Sequence, residues 1–272
     1  MYGIARPSFG ILPFILTFIA MKQFRRLSLF LIASIISFTM FAQAKPVYVI
    51  VHGAWGGSWA FKKTDSLLTE RGAVVYRPSL TGQGERVHLA SLEVGLATHI
   101  NDVVNMILFE DLHDIILVGH SYGGMVITGV ADQVPERISK LIYLDAFVPD
   151  DGESVVSMQG DRADWVMKMA NNGFLVPAWV KPDQAPPKDV PHPLKTFTDK
   201  ISLTNAKRLQ LATTYILTVA KGVDAATDDF ALQAERARKK GWPVIQLEAD
   251  HNPQWSAVDA LVEMLWRTGK RK

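Results

Sequence analysis

The pentapeptide Gly119-His120-Ser121-Tyr122-Gly123 constrains this chain more than any other feature of it. Before it stands the apolar run Asp114-Ile115-Ile116-Leu117-Val118, which reads as a fully buried parallel strand. After it, Gly124 through Val134 carries apolar residues at helical spacing and stops at Pro135. A G-x-S-x-G placed between a strand and a helix is a nucleophile elbow. The turn is tight, so a Cβ at either flanking glycine would meet the neighbouring strand or helix. The serine hydroxyl is then held proud of the sheet edge, at the positive end of a helix. The bare pattern recurs by chance; the flanking elements make Ser121 a candidate nucleophile.

The rest of the chain has a matching rhythm. Strands are expected at 47–51, 73–76, 140–144, 213–220 and 243–247. Helices are expected at 58–71, from Ser91 to about Glu110, from about Asp228 to Lys240, and from near Ser256 to Gly269. Asp259 is placed to complete a capping box for the last of these. Strands alternating with helices at this spacing predict an α/β fold, a mostly parallel sheet with helices on both faces. One segment breaks the alternation. Pro149 to Ser202 is rich in Pro, Met and Trp and contains no convincing strand. A long insertion in a compact domain is usually functional. It follows the strand after the elbow, so it is expected to fold over the sheet as a small cap, about residues 149–205. Trp165, Phe174 and Trp179 would then shape an apolar pocket beneath it or form the cap's own core.

The N-terminus reads as a targeting segment. Met21-Lys22-Gln23-Phe24-Arg25-Arg26 is a positive n-region, Leu27 to Phe41 an apolar h-region, and Ala42-Gln43-Ala44 a small-x-small cleavage site. Met21 is then the natural initiator; a membrane-anchored N-terminus is the rival reading, since Ile11 to Ala20 is also apolar. The first reading divides the chain into a segment 1–44, cleaved after Ala44, and a secreted or periplasmic domain 45–272 with no membrane role. Residues 1–44 hold Arg6, Lys22, Arg25 and Arg26 and no acid, so the remainder has 29 − 4 = 25 basic against 27 acidic residues, a net of −2. The basic character of the whole chain therefore does not describe the exported domain, and no nucleic-acid partner is expected. With no cysteine, disulfides, thiolate metal sites and a cysteine nucleophile are excluded. No H-E-x-x-H or comparable spacing predicts a metal site, and Gly82-Gln83-Gly84 lacks the rest of a dinucleotide fingerprint.

A serine hydroxyl needs a base beside it. His251, in Glu248-Ala249-Asp250-His251-Asn252-Pro253, follows the last strand and so shares the sheet edge that carries Ser121. The acid is expected in the order Ser, Asp, His, just after the penultimate strand, where Asp224 is the first available; Asp145 and Asp228 are the alternatives. An oxyanion hole would take one backbone N–H from Tyr122 and a second from Ala54, in the loop His52-Gly53-Ala54-Trp55-Gly56-Gly57. His52 is expected to brace that loop.

Together the elbow, the His-Gly loop and the late histidine resemble the α/β-hydrolase superfamily. More narrowly, residues 51–59 and 118–125 look like the plant methylesterase and hydroxynitrile lyase family and its bacterial esterase relatives. Tyr143 to Asp150, Tyr215-Ile216 and Ala249-Asp250-His251 extend the likeness over residues 46–268. The resemblance implies an α/β-hydrolase fold, no cofactor, and hydrolysis of small carboxylic esters through a Ser-His-Asp triad and acyl-enzyme. Its alternatives are a carbonyl-group lyase or a ligand-binding protein on the same fold. The family's acid-bearing run after the penultimate strand is replaced here by Thr218-Val219-Ala220-Lys221. The lyase members carry Thr where Gly53 stands and Lys where Asn252 stands, so the departures favour hydrolysis.

Overall fold

The computed structural model describes residues 1–3 and 45–270. The n-region, h-region and cleavage site lie outside the described residues. Residues 45–270 form one compact unit.

Its sheet strands are β1 (Val47–Val51), β2 (Val74–Tyr76), β3 (Ile115–His120), β4 (Ile138–Leu144), β8 (Ala212–Val219) and β9 (Val244–Glu248), and β5 to β7 belong to the insertion. The order across the sheet is β2-β1-β3-β4-β8-β9, and every neighbouring pair is parallel. Parallel strands need helical crossovers, which cover both faces and explain why the central strands β1 and β3 are buried along nearly their whole length. Adjacent residues still divide between the two faces. Val49, Val51, Ile115, Leu117, Leu141 and Tyr143 pack with α2 (Leu96–Phe109), α3 (Gly123–Gln133) and α7 (Ala231–Lys239). Tyr48, Ile50, Ile116, Val118, Ile142 and Leu144 pack with α1 (Lys62–Glu70) and α9 (Val258–Gly269). Each large apolar side chain so buried contributes about 1.5–3 kcal/mol.

Two helix starts differ from the sequence expectation. The helix expected from Ser91 begins only at Leu96, after an extended Gly95. Its first turn is capped from far away, since the Leu96 N–H donates to Asp199 Oδ2 at 3.1 Å. At the C-terminus no side chain caps α9. Ser256 instead ends the short α8 (Pro253–Ser256) and donates its Oγ–H to Asp250 Oδ1 at 2.8 Å. At the start of α2 the long-range Asp199 contact adds to the local bond from Gly95 N–H to Thr98 Oγ1 at 3.4 Å.

Between β4 and β8 the chain leaves the sheet to form the cap. It contains α4 (Val155–Met158), α5 (Ala163–Lys168), α6 (Lys195–Thr198) and a small sheet of β5 (Ala170–Asn171), β6 (Phe174–Leu175) and β7 (His192–Pro193). Sequence periodicity shows no strand here because two-residue ladders have no alternation to detect. Among the described residues, no helix is long and apolar enough to cross a membrane.

The elbow joins β3 to α3. Ser121 has φ 54°, in the left-handed region that costs a non-glycine residue energy. The surroundings hold it there: Ser121 N–H donates to Leu144 O at 3.2 Å, and Phe147 N–H donates to Ser121 O at 3.1 Å. A Cβ on Gly119 would lie 2.6 Å from Gly123 O, and one on Gly123 would lie 2.7 Å from Val51 O. Both distances are sub-contact, so the strand-to-helix turn closes only with glycine at each flank.

Candidate active site

Three loops at the carboxyl ends of β3, β4 and β9 converge. Ser121 Oγ lies 3.0 Å from His251 Nε2, and His251 Nδ1 lies 2.6 Å from Asp145 Oδ2. A carboxylate only accepts, so Nδ1 carries the proton and donates to Asp145. That leaves the Nε2 lone pair to accept the Ser121 hydroxyl. Asp145 is 1% exposed, and its other oxygen, Oδ1, accepts from Thr218 N–H at 3.1 Å. A buried carboxylate needs such partners on both oxygens. Like Ser121, Asp145 is left-handed, with φ 44°. His251 is further fixed by stacking on Phe230, with ring centroids 4.7 Å apart and planes at 11°. Its carbonyl accepts from His120 Nε2–H at 2.7 Å.

Asp224, the acid preferred from the sequence, is elsewhere. It is exposed and caps a short 3₁₀ turn, accepting from Ala226 N–H at 3.0 Å. Asp228 lines the same cavity as His251, but its Oδ1 accepts from Phe230 N–H at 2.9 Å. Asp145 occupies the place instead because β4 lies between β3 and β8, so a residue at its end faces the gap that His251 spans. One signal could have promoted it: a single acid, Asp145, interrupts an otherwise apolar strand end from Leu141 to Val148. A charge in such a run is almost always paired.

Tyr122 N–H and Ala54 N–H flank Ser121, and neither bonds to a backbone carbonyl of the described residues outside helices and strands. Both residues line the cavity above Ser121. His52 braces the Ala54 loop, with Nδ1–H donating to Gly53 O at 2.7 Å and Nε2 accepting from Leu80 N–H at 3.1 Å. The next residue, Trp55, is left-handed at φ 64° and is tied to the cap. Its N–H donates to His192 Nδ1 at 3.3 Å, its indole to Leu175 O at 3.1 Å, and its carbonyl accepts from Val190 N–H at 2.8 Å. These cap contacts are invisible to sequence reasoning, since His192 and Leu175 carry no motif. The cap also supplies Trp165 and Trp179 to the cavity wall, whereas Phe174 does not line it. The cavity encloses about 1440 Å³, more than the few hundred Å³ that suffices for a small ligand.

Four buried histidines surround the site. Burial holds His52 and His99 down to about 4 and His120 to about 3, and it holds His192 well below the ordinary 6.5. Below pH 6.5 the unfolded chain therefore binds protons that the folded chain refuses, and stability falls as pH drops towards 4. Each histidine contributes up to about 1.4 kcal/mol per pH unit within that window. The urea midpoint at pH 5 is thus expected well below that at pH 7.5. Equal midpoints would show that these rings take up protons in the native state.

Comparison with known proteins identifies the family and the fold. Residues 48–264 match the model of the Alpha/beta hydrolase family. The chain is 52% identical over 111 residues to a carbendazim hydrolyzing esterase of Nocardioides sp. (strain SG-4G), covering 41% of this chain and 46% of that protein. It is 30% identical over 108 residues to methylesterase 1 of Arabidopsis thaliana, covering 39% and 41% respectively. The chain spans about half the length of the curated relatives it matches. Among solved structures, an extracellular alpha/beta-hydrolase from a Paenibacillus species aligns with a TM-score of 0.71 and 23% identity, over 83% of this chain and 100% of that one. At that identity the likeness concerns the fold.

Proposed function

This chain belongs to the alpha/beta hydrolase family, and from that premise we propose that it is a serine hydrolase of carboxylic esters working through Ser121, His251 and Asp145. The observation that carries the proposal is the continuous relay from Ser121 Oγ to His251 Nε2 at 3.0 Å and from His251 Nδ1 to Asp145 Oδ2 at 2.6 Å. Ser121 Oγ attacks the acyl carbon while His251 Nε2 takes its proton. Asp145 orients the ring and stabilises the imidazolium. Ala54 and Tyr122 N–H groups hold the oxyanion, and His251 then returns the proton to the departing alcohol. Water, activated by the same nitrogen, attacks the acyl-enzyme; the carbonyl–Oγ bond breaks, and the acid leaves with Ser121 restored.

The names of the relatives, an esterase and a methylesterase, support ester hydrolysis. A panel of p-nitrophenyl and methyl esters of graded acyl and alcohol size, with carbendazim included, assays it on residues 45–272. A fluorophosphonate probe in the same experiment is expected to label Ser121 and to abolish turnover in proportion. Turnover that survives complete labelling would overturn the proposal. Export is inferred from residues 1–44, and the processed protein is then expected to begin at Lys45 in N-terminal sequencing; an intact Met1 or Met21 on the secreted form would contradict it.

A further inference from the structure

Trp55, Trp165, Trp179 and Phe197 line the cavity, a wall suited to a flat aromatic group. Its carboxylates are not equivalent. Asp229 pairs with Arg162 at 2.7 Å, and Asp228 accepts from Phe230 N–H at 2.9 Å. Asp189 has neither kind of partner among the described residues. Burial raises its pKa, and the one group that opposes this by hydrogen bonding is the Trp179 side chain. A half-buried carboxylate with a single donor is under-solvated, and an added N–H relieves that cost.

The position of Asp189 is fixed beside the oxyanion loop. Val190, the next residue, donates its N–H to Trp55 O at 2.8 Å. A Cβ on Gly56 would lie 3.9 Å from Asp189 Oδ1. The carboxylate therefore faces the same cavity as Ser121, in a wall whose indole rings themselves attract a cation.

We propose that Asp189 is a specificity-determining residue that receives an N–H from a nitrogen carried on the aromatic part of the substrate. The preferred esters are then aromatic and bear a protonated or N–H-donating nitrogen away from the scissile carbonyl. For turnover this rests on the hydrolase reading; for binding it does not.

Two measurements separate the ideas. In the first, naphthylmethylamine and the matching naphthylmethanol are titrated calorimetrically into Ser121→Ala protein, and again with Asp189→Asn added. The amine is expected to bind roughly tenfold or more tightly than the alcohol, as a charge-assisted hydrogen bond provides, with the two within about twofold once Asp189 is replaced. Equal binding to the Asp189 protein, or a preference that survives Asp189→Asn, overturns the assignment. In the second, kcat/KM is compared for methyl para-aminomethylbenzoate and methyl para-hydroxymethylbenzoate with the wild-type residue at 121. Turnover of both esters without preference for the amine defeats the Asp189 assignment while the hydrolase reading stands. An amine-selective cavity with no ester turnover sinks the hydrolase reading and leaves Asp189 as an amine-binding residue. Thermal unfolding of each variant establishes that it is folded.

Discussion

Ser121→Ala is expected to lower kcat for a p-nitrophenyl ester by roughly five to six orders of magnitude, leaving only what the oxyanion donors and binding supply. Removing Oγ removes both the attacking atom and the acceptor of the acyl group, and His251 has nothing to deprotonate except water. The substitution deletes one atom from a partly exposed position, so thermal stability should stay close to that of the parent. A variant that keeps more than a tenth of the activity would mean that another nucleophile acts.

Asp145→Asn should cost roughly four orders of magnitude in kcat, a loss typical of a reversed imidazole tautomer. The two oxygens of Asp145 make unequal demands. Oδ1 accepts from Thr218 N–H and Oδ2 from His251 Nδ1–H. An asparagine keeps its oxygen on Thr218 and turns its NH₂ towards His251. Nδ1 must then accept, the proton moves to Nε2, and the Ser121 hydroxyl loses its base. The companion variant Asp224→Asn is expected to stay within about twofold, since a change at an exposed turn cap has small effects. If Asp224→Asn instead lost thousands-fold and Asp145→Asn did not, the acid would have been misassigned. Both variants are read by single-turnover acylation as well as kcat, because acylation and deacylation use the same base.

The two variants also mark where the sequence stops being sufficient. Ser121 and His251 are legible because their neighbours carry local signals: a glycine-flanked turn after an apolar run, and a loop directly after the last strand. Half of the bracing by His52 is local, its bond to Gly53 O, and the His-Gly pair advertises it; the other half, the bond from Leu80 N–H, is not. The acid is different. Any loop at that sheet edge can supply a carboxylate to His251, and chain order alone favoured the loop after β8, where Asp224 is the first acid. The end of β8 itself instead carries Thr218, whose backbone N–H completes the hydrogen bonding of Asp145.

The cap shows the same limit. Its composition announces an insertion, yet its hold on Trp55 and its capping of α2 through Asp199 involve partners more than 100 residues apart. None of these has a periodicity or a motif.

By itself, the sequence determined the layered α/β architecture and pointed to Ser121 and His251 as the candidate nucleophile and base, because hydrophobic spacing and turn chemistry act over a few residues and leave a readable trace. Only the tertiary structure set Asp145, not Asp224, against His251 and decided the shape of the cavity and the placement of Asp189. Those depend on which strand ends come to lie side by side, and burial in the folded domain decides which carboxylates retain a partner.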